Sequence, residues 1–169
     1  MRPPTLLPLA FLAACGASVD SAAPPATGTS TEMPVGAVVL PAASVPTILQ
    51  QCSRQSPTAG EGGWQPSAGE IVALEAAAAA ALRARQETND PDWSRFPDNW
   101  RRQYVGLVRG GRRFIYGNAY PRDVDRHARD SGQWRREPVI VCDGGPSFFG
   151  VEYDVEAGRI TQLAFNGGF

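Results

Sequence analysis

Apolar and polar residues alternate most regularly near the end of the chain. From Phe148 to Val155, and again from Arg159 to Phe165, the period is two, which predicts a pair of strands. A tight turn through Glu156-Ala157-Gly158 joins them, with Gly158 supplying a left-handed residue. The pattern puts Phe149, Val151, Tyr153, Val155, Leu163 and Phe165 on one face, and Glu152, Asp154 and Gln162 on the other. Such a ribbon should turn one face to a core and the other to water. Tyr104 to Tyr116 reads as a second hairpin about Gly110-Gly111, a two-residue turn that tolerates positive φ. It sets Leu107 opposite Phe114 and Val105 opposite Tyr116, with Tyr104, Val108 and Ile115 on the reverse face. Both faces are apolar, so this hairpin belongs at the centre of a sheet or under cover on both sides.

A helical period appears between these and the amino-terminal third. Ser67-Ala68-Gly69-Glu70 is a capping box, in which serine accepts from the Glu70 amide and the glutamate reaches back. Ile71, Leu74, Ala78 and Leu82 follow at helical spacing in alanine-rich sequence, predicting a helix from Ala68 to about Arg85. Thr47 to Ser53 reads as one or two helical turns carrying Cys52. The segments around Pro91 and Pro97 are loops, Asn118 to Arg136 is a long polar loop, and Pro138 to Cys142 is a short buried strand. The expected fold class is α+β: one main helix packed on an antiparallel sheet of about five strands in a meander. A single domain over residues 47–169 accommodates these elements.

Ahead of that domain the pattern fades. Gly16 to about Pro46 is rich in Ala, Pro, Ser, Thr and Gly and nearly uncharged, so it reads as a tether with a reach of roughly 30 Å. Within it, Val35 to Leu40 is apolar enough to dock on the domain as an edge strand. Further upstream, Met1-Arg2 precedes an apolar run from Leu6 to Leu12, too short to span a bilayer. The run ends in Leu12-Ala13-Ala14-Cys15, which resembles the lipobox of bacterial lipoproteins. That resemblance implies a signal over residues 1–14, cleavage before Cys15, and lipid on Cys15. Residues 15–46 would then tether the domain to a membrane facing the periplasm or exterior. Gly16, rather than aspartate, after Cys15 favours the outer membrane by resemblance to sorted lipoproteins.

Export changes the reading of the cysteines. With Cys15 acylated, Cys52 and Cys142 remain as a pair in an oxidising setting, where a disulfide is the natural inference and two buried free thiols the rival. Two cysteines and one distant histidine do not supply a tetrahedral zinc set, so no metal is expected. All sixteen basic side chains are arginine. The absence of lysine excludes Schiff-base, P-loop and lysine-base chemistry.

Charge is segregated beneath an overall balance of −1. Residues 101–136 hold ten arginines against three aspartates, while residues 15–100 and 137–169 are acidic by five and four charges. At the hairpin tip Arg109 and Arg112 face each other beside Arg113, and like charges so placed repel. An anion relieves such a cluster, because guanidinium groups fork onto carboxylate or phosphate. Arg109, Arg112 and Arg113 are therefore the expected contact surface for a protein partner or an acidic envelope component. The rival reading is a solvated tip neutralised by its own acidic flanks. Nucleic acid is not an expected partner, since the aromatics that interleave with arginine are needed for the core.

Catalytic signals are sparse. His127, the single histidine, lies among Asp123, Asp125 and Asp130 in loop-like sequence with no nucleophile elbow beside it. The pairs Asp90 with Asp92, Asp123 with Asp125, and Glu152 with Asp154 fit solvated surface as well as acid–base work. No cofactor is expected. The functional expectation is a non-enzymatic, lipid-anchored binding protein of the envelope. A small hydrolase using carboxylates or His127, and a structural role in envelope assembly carried by an exposed Trp93–Trp100 patch, are the alternatives.

Overall fold

The computed structural model describes residues 32–88, 90–124 and 132–168. Its fold is α+β, one long helix laid on a mixed, mostly antiparallel sheet. In chain order the elements are β1 (Ala37–Val39), α1 (Val45–Ile48), β2 (Gly62–Trp64), α2 (Ala68–Ala84), β3 (Trp100–Arg109), β4 (Arg112–Pro121), β5 (Phe149–Asp154) and β6 (Arg159–Phe165). Strands β3 to β6 form the antiparallel meander. On the outer side of β3, β1 pairs in parallel and β2 antiparallel, so the sheet is mixed.

The two strongest local signals give the two strongest elements. Ser67 Oγ accepts from the Glu70 amide at 3.3 Å while Glu70 accepts from the Ser67 amide at 2.8 Å, closing the capping box of α2. At the hairpin between β3 and β4, Gly110 and Gly111 adopt φ +56° and +72°, the paired left-handed residues of a type I′ turn. The register then sets Leu107 against Phe114 and Val105 against Tyr116.

Both faces of the sheet are covered. Under α2, Ile71, Leu74, Ala78 and Leu82 pack with Tyr104, Ile115, Phe149 and Val151, and Trp93, Phe96 and Trp100 close one end. On the reverse face Leu40, Val45 and Ile48 meet Val105, Leu107, Phe114 and Tyr116. The boundary expected at Thr47 is therefore corrected: the fold takes in residues from Ala37 onward, because β1 supplies a ladder and Leu40 and Val45 are buried. The helical turn falls at Val45–Ile48, leaving Cys52 in the loop that follows.

Two further corrections concern β4 and the segment from Pro138. Strand β4 continues to Pro121, so the polar stretch expected as loop from Asn118 begins as sheet. Pro138 to Cys142 is not a strand. Its backbone groups are satisfied instead by side-chain amides. Gln103 donates to the carbonyls of Trp134 and Glu137 and accepts from the Val139 amide; Asn118 donates to the Val139 carbonyl; Asn166 donates to those of Val141 and Asp143. Buried amides thus do the work of a neighbouring strand, which buried backbone groups require.

Candidate functional site

The hairpin tip brings Arg109, Arg112 and Arg113 together, and it brings carboxylates with them. Arg109 pairs with Glu152 at 2.6 Å, Arg112 with Asp154, and Arg113 with both Glu156 at 2.9 Å and Glu70 at 3.2 Å. Pairing of β5 beside β4 delivers these acids, since Asp154 stands opposite Phe114 and Glu152 opposite Tyr116. The guanidinium groups of Arg109 and Arg113 also lie over the rings of Phe114 and Trp64, at 4.1 and 4.7 Å. Arg109 also reaches the Thr58 carbonyl at 3.2 Å.

Glu152 and Asp154 are correspondingly not on a solvated face. They are 4 % and 1 % exposed, beneath the arginines and the loop before β2. The Ala157 amide holds the Asp154 carboxyl below the ordinary aspartate range, with Arg112 adding to the effect. Burial works against ionisation of Glu156, and its hydrogen bonds to Arg113 outweigh that, leaving its pKa lowered. The internal pairing removes the repulsion that the Arg109–Arg112 register would otherwise create.

A second arginine group lies at the opposite end of the same hairpin. A cleft of about 810 Å³ is walled by Arg95, Arg101 and Arg122 with Asp92, Asp123, Trp100, Asn99 and Ser147 among its lining. Three separate stretches of chain build it. Trp100 pairs with Pro121 where β3 and β4 meet, the Arg122 amide donates to the Asn99 carbonyl at 2.9 Å, and Trp100 Nε1 donates to the Ser147 carbonyl at 2.8 Å. Arg122 Nη1 donates to the Asp98 carbonyl, and the Arg101 guanidinium stands 4.6 Å over the Trp134 ring. Asp92 caps a short 3₁₀ turn by accepting from Ser94, whose side chain and amide lower the Asp92 pKa. The cleft lining therefore holds three guanidinium groups, of which Arg122 donates to a backbone carbonyl and Arg101 lies over a ring, and two carboxylates, one committed to a cap. That is a lining suited to a carboxylate or phosphate.

The remaining sequence expectations divide clearly. Cys52 and Cys142 meet with Cα atoms 5.2 Å apart and form a disulfide. Trp93 and Trp100 are 0 % and 4 % exposed. They stack against Phe96, Phe149 and each other, so they offer no exposed aromatic patch. Cys15, Asp125, His127 and Asp130 lie outside the described residues. Glu152 does not line the cleft. Among the described residues there is no cluster of three metal-ligating side chains, and no helix is long and apolar enough to cross a membrane.

Sequence reasoning missed the cleft because its arginines are dispersed over positions 95, 101 and 122. The available signal was Trp100-Arg101 at the base of a hairpin whose strands run further than the apolar alternation alone indicates. Comparison of the chain with family models, curated proteins and solved structures returns no match.

Proposed function

We propose that this chain is a lipid-anchored protein of the bacterial envelope whose domain binds an acidic envelope component without catalysis. The contact site in this reading is the cleft walled by Arg95, Arg101 and Arg122, rather than the hairpin tip. One observation carries the choice. Arg95, Arg101 and Arg122 wall a concave space of about 810 Å³, large enough for a ligand, and the tip arginines are engaged by Glu152, Asp154 and Glu156 of the same domain. The Leu12-Ala13-Ala14-Cys15 pattern and a disulfide between Cys52 and Cys142 support the envelope as its place of work.

The test is a titration by NMR with two soluble acids, inorganic phosphate and a muropeptide carrying free carboxylates. Shifts at amides 92–101 and 121–123 that saturate, and that disappear in Arg95→Gln/Arg101→Gln/Arg122→Gln, are the expected outcome. Loss of binding in Arg109→Gln/Arg112→Gln/Arg113→Gln, with the cleft variant unaffected, would return the contact surface to the tip.

A further inference from the structure

We infer that the cleft end of the domain lies against the membrane and that the cleft takes the phosphate of an anionic phospholipid headgroup. This inference deepens the preceding reading and rests on Cys15 being the acylated residue.

The first observation is the path of the chain. The polypeptide joins the sheet at the cleft end, because β1 runs parallel to β3 with Ala37 opposite Arg102. The Arg102 amide donates to the Gly36 carbonyl at 2.9 Å. A side chain at Gly36 would come within 3.5 Å of Arg122 Nη2 and 3.3 Å of the Trp100 carbonyl, two residues of the cleft lining. Residues 16–31 separate Cys15 from the described fold; if that stretch acts as the tether its composition predicts, its root-mean-square reach is about 22 Å. The hairpin tip lies ten residues along β3, about 30 Å further away. A domain tethered this way presents its cleft to the bilayer far more readily than its tip.

The second observation is an exposed apolar side chain close to where the chain enters the sheet. Val35 is 81 % exposed, the most exposed large hydrophobic among the described residues. Arg102 Nη1 donates to the Val35 carbonyl at 3.0 Å, and the same Nη1 donates to the carbonyls of Pro97 and Trp100. The valine backbone is thereby held next to Gly36, whose Cβ position lies 3.5 Å from Arg122 Nη2 of the cleft lining. An apolar side chain next to a group of arginines matches the boundary between acyl chains and headgroup phosphates. Asp92 and Asp123 share the lining, so recognition is by local placement of the guanidinium groups, not by net charge.

A bilayer and a soluble phosphate offer the same chemistry, and the experiment separates them. The full-length, acylated protein is reconstituted into phosphatidylcholine vesicles with and without phosphatidylglycerol, and backbone hydrogen exchange is followed. The inference predicts slowed exchange at residues 92–101 and 121–124 in phosphatidylglycerol vesicles only, with the tip at 109–113 unchanged. Each arginine near an anionic surface contributes about a fivefold factor to partition, so Arg95→Gln/Arg101→Gln/Arg122→Gln should abolish the protection. Val35→Asp, at a position too exposed to affect folding, should weaken it. The same measurement on the unaltered protein in high salt, where screening shortens the reach of charge, should also remove it. Equal exchange in both vesicle types, or protection of the tip, would overturn the inference. Protection of the cleft by soluble glycerol phosphate but not by phosphatidylglycerol vesicles would overturn the membrane assignment and leave the acid-binding cleft standing.

Discussion

Glu75 sits on the apolar stripe of α2, 6 % exposed, where a carboxylate needs an explanation. Arg102 supplies it. The guanidinium reaches Glu75 Oε1 through both Nε and Nη2 at 2.9 Å, and the Tyr104 hydroxyl donates to the same oxygen at 2.8 Å. Burial, with the Glu75 charge adding to it, drives the Tyr104 pKa well above its ordinary value. Removing one partner of such a pair strands the other charge in a low dielectric. Glu75→Ala should therefore cost about 3–5 kcal/mol of stability in urea unfolding, against a few tenths for a typical exposed alanine substitution. A cost below about 1 kcal/mol would show that water reaches Arg102. Asp154 makes a pH-dependent prediction. Its pKa is lowered in the fold, so its contribution is present above the unfolded value of about 3.9 and is lost as pH falls through the folded one. Asp154→Asn should flatten the acid limb of a stability-versus-pH curve; an unchanged limb would deny the carboxylate that role.

At the scale of elements, legibility followed the range of the interactions. Helix α2 and the turn at Gly110-Gly111 depend on neighbours within four residues, and both were readable from capping and φ requirements alone. The reverse face of β5 was not. Glu152 and Asp154 alternate with apolar residues as a solvent face would, yet Arg109 and Arg112 of another hairpin pair with them and they are buried. Val139-Ile140-Val141 failed as a strand for a similar reason. Its partners are the side chains of Gln51, Gln103, Asn118 and Asn166, between 21 and 88 residues away, and no periodicity encodes them. The disulfide fastens this irregular segment to the loop carrying Arg54, whose guanidinium donates to Asn118 and Asn166. Closing a loop with a sequence separation of 90 is worth about 4–5 kcal/mol in the chain-entropy model. Cys52→Ser/Cys142→Ser should lose an amount of that order in denaturant titration. The unaltered protein should behave like the variant once reduced, and insensitivity to reductant would contradict the structural role of the bridge.

For the whole molecule, the two ends of the central hairpin have different electrostatic roles. The tip closes its arginines onto internal carboxylates, and the base gathers Arg95, Arg101 and Arg122 around a cleft beside the point where the chain enters the fold. The segregated charge of the sequence thus goes partly to ion pairs at the tip and partly to the lining of the cleft at the base. That division could not be read from the run of arginines, because it depends on which strand lies next to β4. The envelope reading begins from four residues upstream of the tether, and intact mass analysis of the mature protein purified from membranes tests it most directly. The account predicts a polypeptide beginning at Cys15 and carrying acyl chains on that residue. An unmodified amino terminus, or a product retaining residues 1–14, would contradict it.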